Sequence, residues 1–434
     1  MLSKKVLIIT YYWPPAGGPG VQRWLNFVKY LPENNIEPIV FCPENPNYPI
    51  IDKSLEDDIP QNIKIIKQPI FEPYRFANLF SKSSTKSLSS GLIPKQKKQS
   101  FIQKLLLYIR GNFFIPDSRK YWVKPSVKFL KTYLNDNEID TIITTGPPHS
   151  LHLIGFELKK LTDVNWITDF RDPWTTIGYH KNLKLTKSSK EKHVKLEHKI
   201  LDNCDAIITT SFHTKNEFLS KTNTPITVIT NGFDDVEIDS VKKDVYFSLS
   251  HIGSLLSERN PIILWEVLSE LIDENSDFEK SFRLNLAGVV SEDIINTLTD
   301  FDLTKNTNIL GYISHHEALT LQRQSQLLLL IEIDSEDTKA IIPGKLFEYL
   351  NAKTPIFALG PKDTDVLNIV QETKSGYYFT YDDKQFLKQK IVELFELFRI
   401  GKLESTTTNI SQFSRQNLTS KLAEVIFNKK ENPI

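Results

Sequence analysis

Apolar positions fall into short, nearly unbroken runs separated by longer stretches where they recur at helical spacing. Runs at Val6–Thr10, Pro38–Phe41, Ile63–Ile66, Thr141–Thr145, Trp166–Asp169, Ala206–Thr210 and Thr227–Thr230 read as strands. Runs of this length suit strands buried on both faces, as in parallel sheets. Between them, Gln22–Leu31, Ser150–Leu161 and Lys190–Asn203 carry helical periodicity. A second series begins near Val245. Its candidate strands are Phe247–Ile252, Arg283–Ala287, Asn308–Leu310, Leu327–Ile331 and Pro355–Ala358. Its helical segments lie around Ile262–Asp273, His316–Arg323, Lys345–Asn351 and Gln385–Phe398. Repeated alternation of strand and helix predicts doubly wound α/β architecture. The acidic stretch Asp234–Asp244 reads as a linker. The chain therefore divides into a first domain over 1–240, a second over 241–412, and a cleft between them. The final 413–434 include a helix at about Asn417–Asn428 placed to cross back onto the first domain.

Residues 75–131 break this pattern. They hold 13 Lys and Arg against one acid, Asp117, a local charge of +12. Apolar residues are interleaved with them, among them Phe101, Leu105, Leu106, Ile109, Phe113 and Phe114, and Ser81–Ser90 reads as a mobile polar stretch. The whole chain balances at 53 basic and 53 acidic residues, so the remainder sums to −12. Zero net charge excludes a generally basic nucleic-acid binder. The two cysteines, Cys42 and Cys204, stand far apart, which argues against a disulfide framework or a zinc ribbon. No stretch is apolar enough for a membrane span. A soluble cytoplasmic chain is expected, or one peripheral at the inner face of the cell membrane.

Four segments carry candidate chemistry. The first strand runs into Tyr11-Tyr12-Trp13-Pro14-Pro15-Ala16-Gly17-Gly18-Pro19-Gly20. Glycines between a buried strand and a helix let backbone approach an anion at the helix start, and a plain connecting loop is the alternative. Gly18-Pro19-Gly20 also opens a dinucleotide fingerprint, with Glu44 as ribose acid, but Arg23 replaces the third glycine. In Gly146-Pro147-Pro148-His149-Ser150, His149 stands at a strand's C-terminal edge, or Ser150 simply caps a helix. Asp169-Phe170-Arg171-Asp172-Pro173-Trp174 gathers two carboxylates, a guanidinium and an indole. They can orient hydroxyls and stack on a sugar, or form an internal Asp–Arg pair bracing the loop. Gly344 and Lys345 at a helix start favour a diphosphate, with Glu348 one turn on as acceptor for sugar hydroxyls. The alternative is an exposed Lys345–Glu348 pair. Arg259 is a further cation after a strand. The histidines lack partners at metal spacing, so no metal or other cofactor is expected.

With these residues collected, the chain resembles the family 4 glycosyltransferases, which have the GT-B fold: two Rossmann-like doubly wound domains facing each other across a cleft. The matching features are Pro14-Pro15 with Gly17-Gly18, Val228-Ile229-Thr230-Asn231-Gly232-Phe233-Asp234, Ile252-Gly253-Ser254, Asn308-Ile309-Leu310-Gly311-Tyr312-Ile313-Ser314 and Lys345-Leu346-Phe347-Glu348-Tyr349-Leu350. Within the family it looks most like bacterial cell-surface polysaccharide enzymes. The resemblance implies a nucleotide-sugar donor on the second domain and an acceptor on the first. It also implies retention of anomeric configuration without a metal. Glu348 matches the second glutamate of the family's E-x7-E pattern, expected at the donor ribose, and Ala340 stands where the first would fall. Arg171 and Asp172 stand where many members have a histidine.

The expected activity is transfer of a sugar from a nucleotide-sugar to a glycan or lipid-linked acceptor. Arg259 and Lys345 would face the leaving diphosphate. Gly17, Gly18, Gly253, Gly344 and Glu348 would hold the donor, and Asp172, Arg171 and His149 are the further catalytic candidates, to orient the acceptor or stabilise local charge. The basic, apolar insertion at 75–131 suggests an anionic membrane surface as partner, against a solvated basic face over a helical core. A non-catalytic sugar-nucleotide or partner-binding module and an NAD-dependent Rossmann enzyme are the competing readings.

Overall fold

The computed structural model describes residues 3–73, 101–181, 183–235 and 241–428. The stretch Ser81–Ser90 and the middle of the linker lie outside them. The chain forms two compact units, Met1–Thr230 with Arg415–Ile434, and Asn231–Ser414.

The first unit holds strands β1 (Lys4–Ile9), β2 (Ile36–Pro43), β3 (Lys64–Gln68), β4 (Thr141–Gly146), β5 (Asn165–Phe170), β6 (Ala206–Thr209) and β7 (Ile226–Val228). All pair in parallel in the order β3-β2-β1-β4-β5-β6-β7. Side chains alternate across the sheet. Leu7 and Ile9 join one core with Ile142 and Trp166; Val6 and Ile8 join the other with Ile143 and Ile167. Both faces are thus buried, which is why these runs are continuously apolar. The last helix, Arg415–Phe427, places Leu418, Leu422 and Ile426 one turn apart, in the same core as Val28 and Leu31 of the first unit.

The second unit holds β8 (Phe247–Ile252), β9 (Phe282–Ala287), β10 (Thr307–Gly311), β11 (Leu327–Ile331), β12 (Ile356–Leu359) and β13 (Gly376–Phe379), in the order β10-β9-β8-β11-β12-β13. Leu327, Leu329 and Ile331 face one core, Leu328 and Leu330 the other. In each sheet the strand order reverses beside the first strand, between β1 and β4 and between β8 and β11. The loops at the carboxyl ends of those strands are where open parallel sheets bind ligands.

Several elements have no counterpart in the apolar pattern. β13 is an edge strand whose residues are mostly half-buried, so Gly-Tyr-Tyr-Phe makes no core-like run. The helix Glu292–Asp300 buries only Ile294 and Leu298, too few positions to declare a period. The described half of the basic insertion contains the helix Phe101–Phe113, a short turn at Ser118–Trp122 and the helix Val123–Asp136.

Candidate functional site

In the second unit, β8 delivers His251, Ile252 and Gly253, and the turn Ser257–Arg259 follows. Gly253 has a φ of 120°, and a β-carbon there would lie 2.6 Å from Lys345 Nζ. Glycine therefore meets two demands at once, a left-handed backbone and room for the lysine. Lys345 stands in the first turn of the helix Gly344–Ala352, 3.1 Å from His251 Nε2. The other ring nitrogen, His251 Nδ1, is 3.0 Å from the Leu329 carbonyl. A carbonyl only accepts, so Nδ1 carries the proton and Nε2 accepts from the ammonium. His251 is accordingly neutral, and burial with Lys345 beside it holds its pKa well below the usual imidazole value.

Burial pushes the Lys345 pKa down to about 7, with Arg259 adding to the shift and Glu348 opposing it. Two cations thus share a partly enclosed place where an anion would relieve their repulsion. The start of the Gly344 helix is open: a β-carbon on Gly344 would meet nothing within 4 Å. Glu348, half-buried one turn on, accepts from Gln322 Nε2 at 3.1 Å. The alternative of an exposed Lys345–Glu348 pair is not what forms, since each side chain has a different partner. Arg259, Lys345, Gly253, Gly344 and Glu348 therefore converge beside the sheet's switch point, and His251 and Gln322 join them. Nothing in Ser-His-Ile within a strand marks His251 as polar machinery.

In the first unit, Gly17 packs against the segment after β2: its N–H donates to the Ile50 carbonyl at 3.0 Å, and a β-carbon would lie 2.9 Å from Ile50 Cγ2. Gly18, with φ 108°, has open space where a side chain would stand. A side chain on Gly20 would fall on the Arg171 guanidinium. Arg171 also donates to the Pro147 carbonyl, and its backbone N–H to Gly146 at 3.0 Å. It lies 5.9 Å from the Tyr12 ring centroid. One guanidinium thus ties together the loops after β1, β4 and β5.

Of the two carboxylates in Asp169–Trp174, Asp169 lies within β5 and is the internal brace. It is fully buried and takes Arg23 Nη2 at 3.0 Å, Trp24 Nε1 at 2.8 Å and Thr145 Oγ1 at 2.8 Å. The Asp–Arg pair therefore forms with the first helix rather than within the loop. Asp172 is half-buried, and burial raises its carboxyl pKa against the pull of Arg171.

His149 is buried and stacked on Trp174 at 4.9 Å with the rings 3° from parallel. Neither of its ring nitrogens has a hydrogen-bond partner among the described residues, nor has His152 Nε2. Burial lowers the pKa of both imidazoles, that of His152 to about 3. Ser150 does not cap the helix. Its N–H and hydroxyl both donate to the Asp117 carboxylate, at 2.9 and 2.8 Å, while His149 holds the cap position. The single acid of the basic insertion thus occupies this helix start. Among the described residues no group of three or more His, Cys, Asp or Glu is placed to hold a metal ion.

No family model matches the chain, and no curated protein sequence matches it. Solved structures resemble it over nearly its whole length. A glycosyltransferase from Rickettsia africae is 14% identical, with a TM-score of 0.62, covering 99% of this chain and 100% of its own. HepE from Anabaena, solved with UDP-glucose, is 13% identical at TM-score 0.57, covering 97% and 98%. A sucrose-phosphate synthase from Thermosynechococcus elongatus is 13% identical at 0.56, covering 98% and 95%. At such identities the likeness establishes the fold: two Rossmann-like units of the GT-B type.

Proposed function

We propose that the protein is a retaining glycosyltransferase of family 4 type. It would move a sugar from a nucleotide-sugar donor on the second unit to a glycan or lipid-linked acceptor on the first, in cell-surface polysaccharide synthesis. The observation that carries this reading is the convergence of Lys345, Arg259 and an open helix start at the switch point of the second sheet. Sugar transfer builds positive charge on the sugar and negative charge on the departing diphosphate. Fixed cations there stabilise the transition state more than the bound donor. Glu348 would accept the ribose hydroxyls, with Gln322 orienting its carboxylate, and Gly17, Gly18 and Gly253 would let the donor approach backbone. Asp172, Arg171 and His149 would orient the acceptor hydroxyl. The charge work falls to the Arg259 and Lys345 side chains. A dinucleotide at the first helix is disfavoured, because Arg171 covers Gly20 and Arg23 is committed to Asp169. The test is incubation with a panel of nucleotide sugars and mass spectrometry of the products. Sugar transfer or slow donor hydrolysis is expected; donor binding without any turnover would favour a non-catalytic module.

The partner at the basic insertion is proposed to be an anionic membrane surface, at the inner face of the cell membrane. Among the described residues no helix is long and apolar enough to cross a membrane. The reading narrows to certain side chains. Asp117 and Arg119 turn inward, Arg119 Nε lying 3.3 Å from Glu72 and Asp117 capping the Ser150 helix. Lys124, Lys128 and Lys131 remain exposed along one helix, near exposed Phe113, Tyr121 and Phe129. Lysines near an anionic surface contribute about 1 kcal/mol each. Lys124→Gln with Lys128→Gln should therefore weaken co-sedimentation with phosphatidylglycerol vesicles roughly thirtyfold at low salt. Absence of wild-type binding to those vesicles would end the membrane reading.

A further inference from the structure

Glu332 follows the last residue of β11 and is buried, and its N–H continues the ladder to the Leu359 carbonyl at 2.8 Å. Its Oε2 lies 2.8 Å from Tyr378 Oη and 3.4 Å from Thr364 Oγ1. Tyr378 Oη is also 2.8 Å from the Pro361 carbonyl and 3.0 Å from Thr364 Oγ1. The protons can be counted. The carbonyl only accepts, and the phenol has one proton to give. Were Glu332 a carboxylate, that single proton would be shared between Glu332 and the Pro361 carbonyl, each 2.8 Å away. A protonated carboxyl removes the conflict: the phenol then donates to Pro361, and Tyr378 Oη accepts from the Thr364 hydroxyl and from Glu332. Gly360 makes room for this arrangement, since a β-carbon there would lie 2.6 Å from Glu332 Oε2.

The charged and titratable groups around Glu332 come from each neighbouring element. Arg259 in the turn after β8 and Asp365 at the start of the helix Asp365–Glu372 act on it through their charge. Tyr378 stands on β13. Tyr381, just after β13, donates to the Glu332 carbonyl at 2.7 Å and is influenced by Asp334. Burial pushes the carboxyl up to about 7 against the hydrogen bonds Tyr378 and Thr364 can donate to its ionised form, with Asp365 adding to the shift and Arg259 opposing it.

We propose that Glu332 is a neutral acid linked electrostatically to the second unit's anion site, and that binding a diphosphate there takes up a proton at this carboxyl. The inference rests on the reading that the second unit binds a diphosphate-bearing ligand. A carboxylate there would offset part of the positive charge that Arg259 offers the ligand; a neutral acid does not. The sign follows. Anion binding favours the protonated acid and the protonated Lys345, so affinity is full below about 7 and is lost as pH rises through it.

Two measurements test this. In the ligand-free protein, infrared difference spectra between wild type and Glu332→Gln at about pH 6 should show a protonated-carboxyl band that fades through neutrality. Tyr378→Phe, which keeps Glu332 and removes its partner, should move that band. Absence of the band overturns the proposal without reference to any ligand. In the second, inorganic diphosphate is titrated by calorimetry into wild type and Glu332→Gln across that range. The probe's own ionisation is common to both. Above neutrality wild-type affinity should fall more steeply, by up to about tenfold per pH unit, than that of the variant. Parallel profiles would overturn the linkage. Failure of diphosphate to bind either protein, with the band present, would overturn the diphosphate reading and with it the linkage, while the acid's proton stands.

Discussion

Lys345→Met will lower sugar transfer about a hundred- to a thousandfold, and Arg259→Ala will do the same within that range. The loss should fall mainly on kcat. Charge on the bridging oxygen grows as the glycosidic bond breaks, so a fixed cation there acts more on the transition state than on the bound donor. Lys345 is suited to this because it is held in place rather than mobile: neutral His251 accepts from it at 3.1 Å, and Gly253 leaves it room. Its pKa near 7 also means that the resting site is only partly charged at neutral pH, so activity should decline as pH rises through that value. Lys345→Arg tests the distinction. It restores charge permanently but not shape, and should flatten the alkaline fall while recovering only part of the rate. Undiminished transfer in folded Lys345→Met would remove this lysine from the mechanism.

Much of this arrangement was legible in the sequence because of where polar residues sit relative to apolar runs. Strands buried on both faces leave no internal place for unpaired charge, so Arg171, Asp172, His149 and Arg259 stand past the strand ends. What stayed hidden were groups whose role depends on a distant partner. His251 lies inside a strand and becomes part of the site only because Lys345 approaches from 94 residues away. Glu332 looks like the first residue of an acidic loop until Tyr378 and Thr364 enclose it. Asp117 looks like a stray acid in a basic segment until Ser150 donates to it twice. Asp169 and Asp172 were indistinguishable by spacing, because one is the fully buried penultimate residue of β5 and the other stands half-buried in the loop beyond it.

That last pair gives the second large effect. Asp169→Ala should destabilise the first unit by about 3–5 kcal/mol, whereas Asp172→Asn should leave its unfolding nearly unchanged. Removing the Asp169 carboxylate leaves Arg23, itself buried, with its charge unpaired and only the Thr230 carbonyl at 2.9 Å. It also strips acceptors from Trp24 Nε1 and Thr145 Oγ1. The cost is that of a stranded buried charge, so it should be recovered when the charge is removed as well. The double variant Arg23→Met with Asp169→Leu should regain most of the lost stability, since a buried ion pair gains little over apolar packing of similar volume. Five of the six tryptophans, Trp13, Trp24, Trp122, Trp166 and Trp174, belong to the first unit, so urea unfolding followed by indole fluorescence reads that unit directly. If Asp169→Ala unfolds with the wild-type midpoint, the pair is not the brace described above, and Asp169 returns to the candidates for acceptor chemistry. If the double variant is as unstable as the single one, the carboxylate holds the first helix and β4 by its hydrogen bonds rather than by its charge.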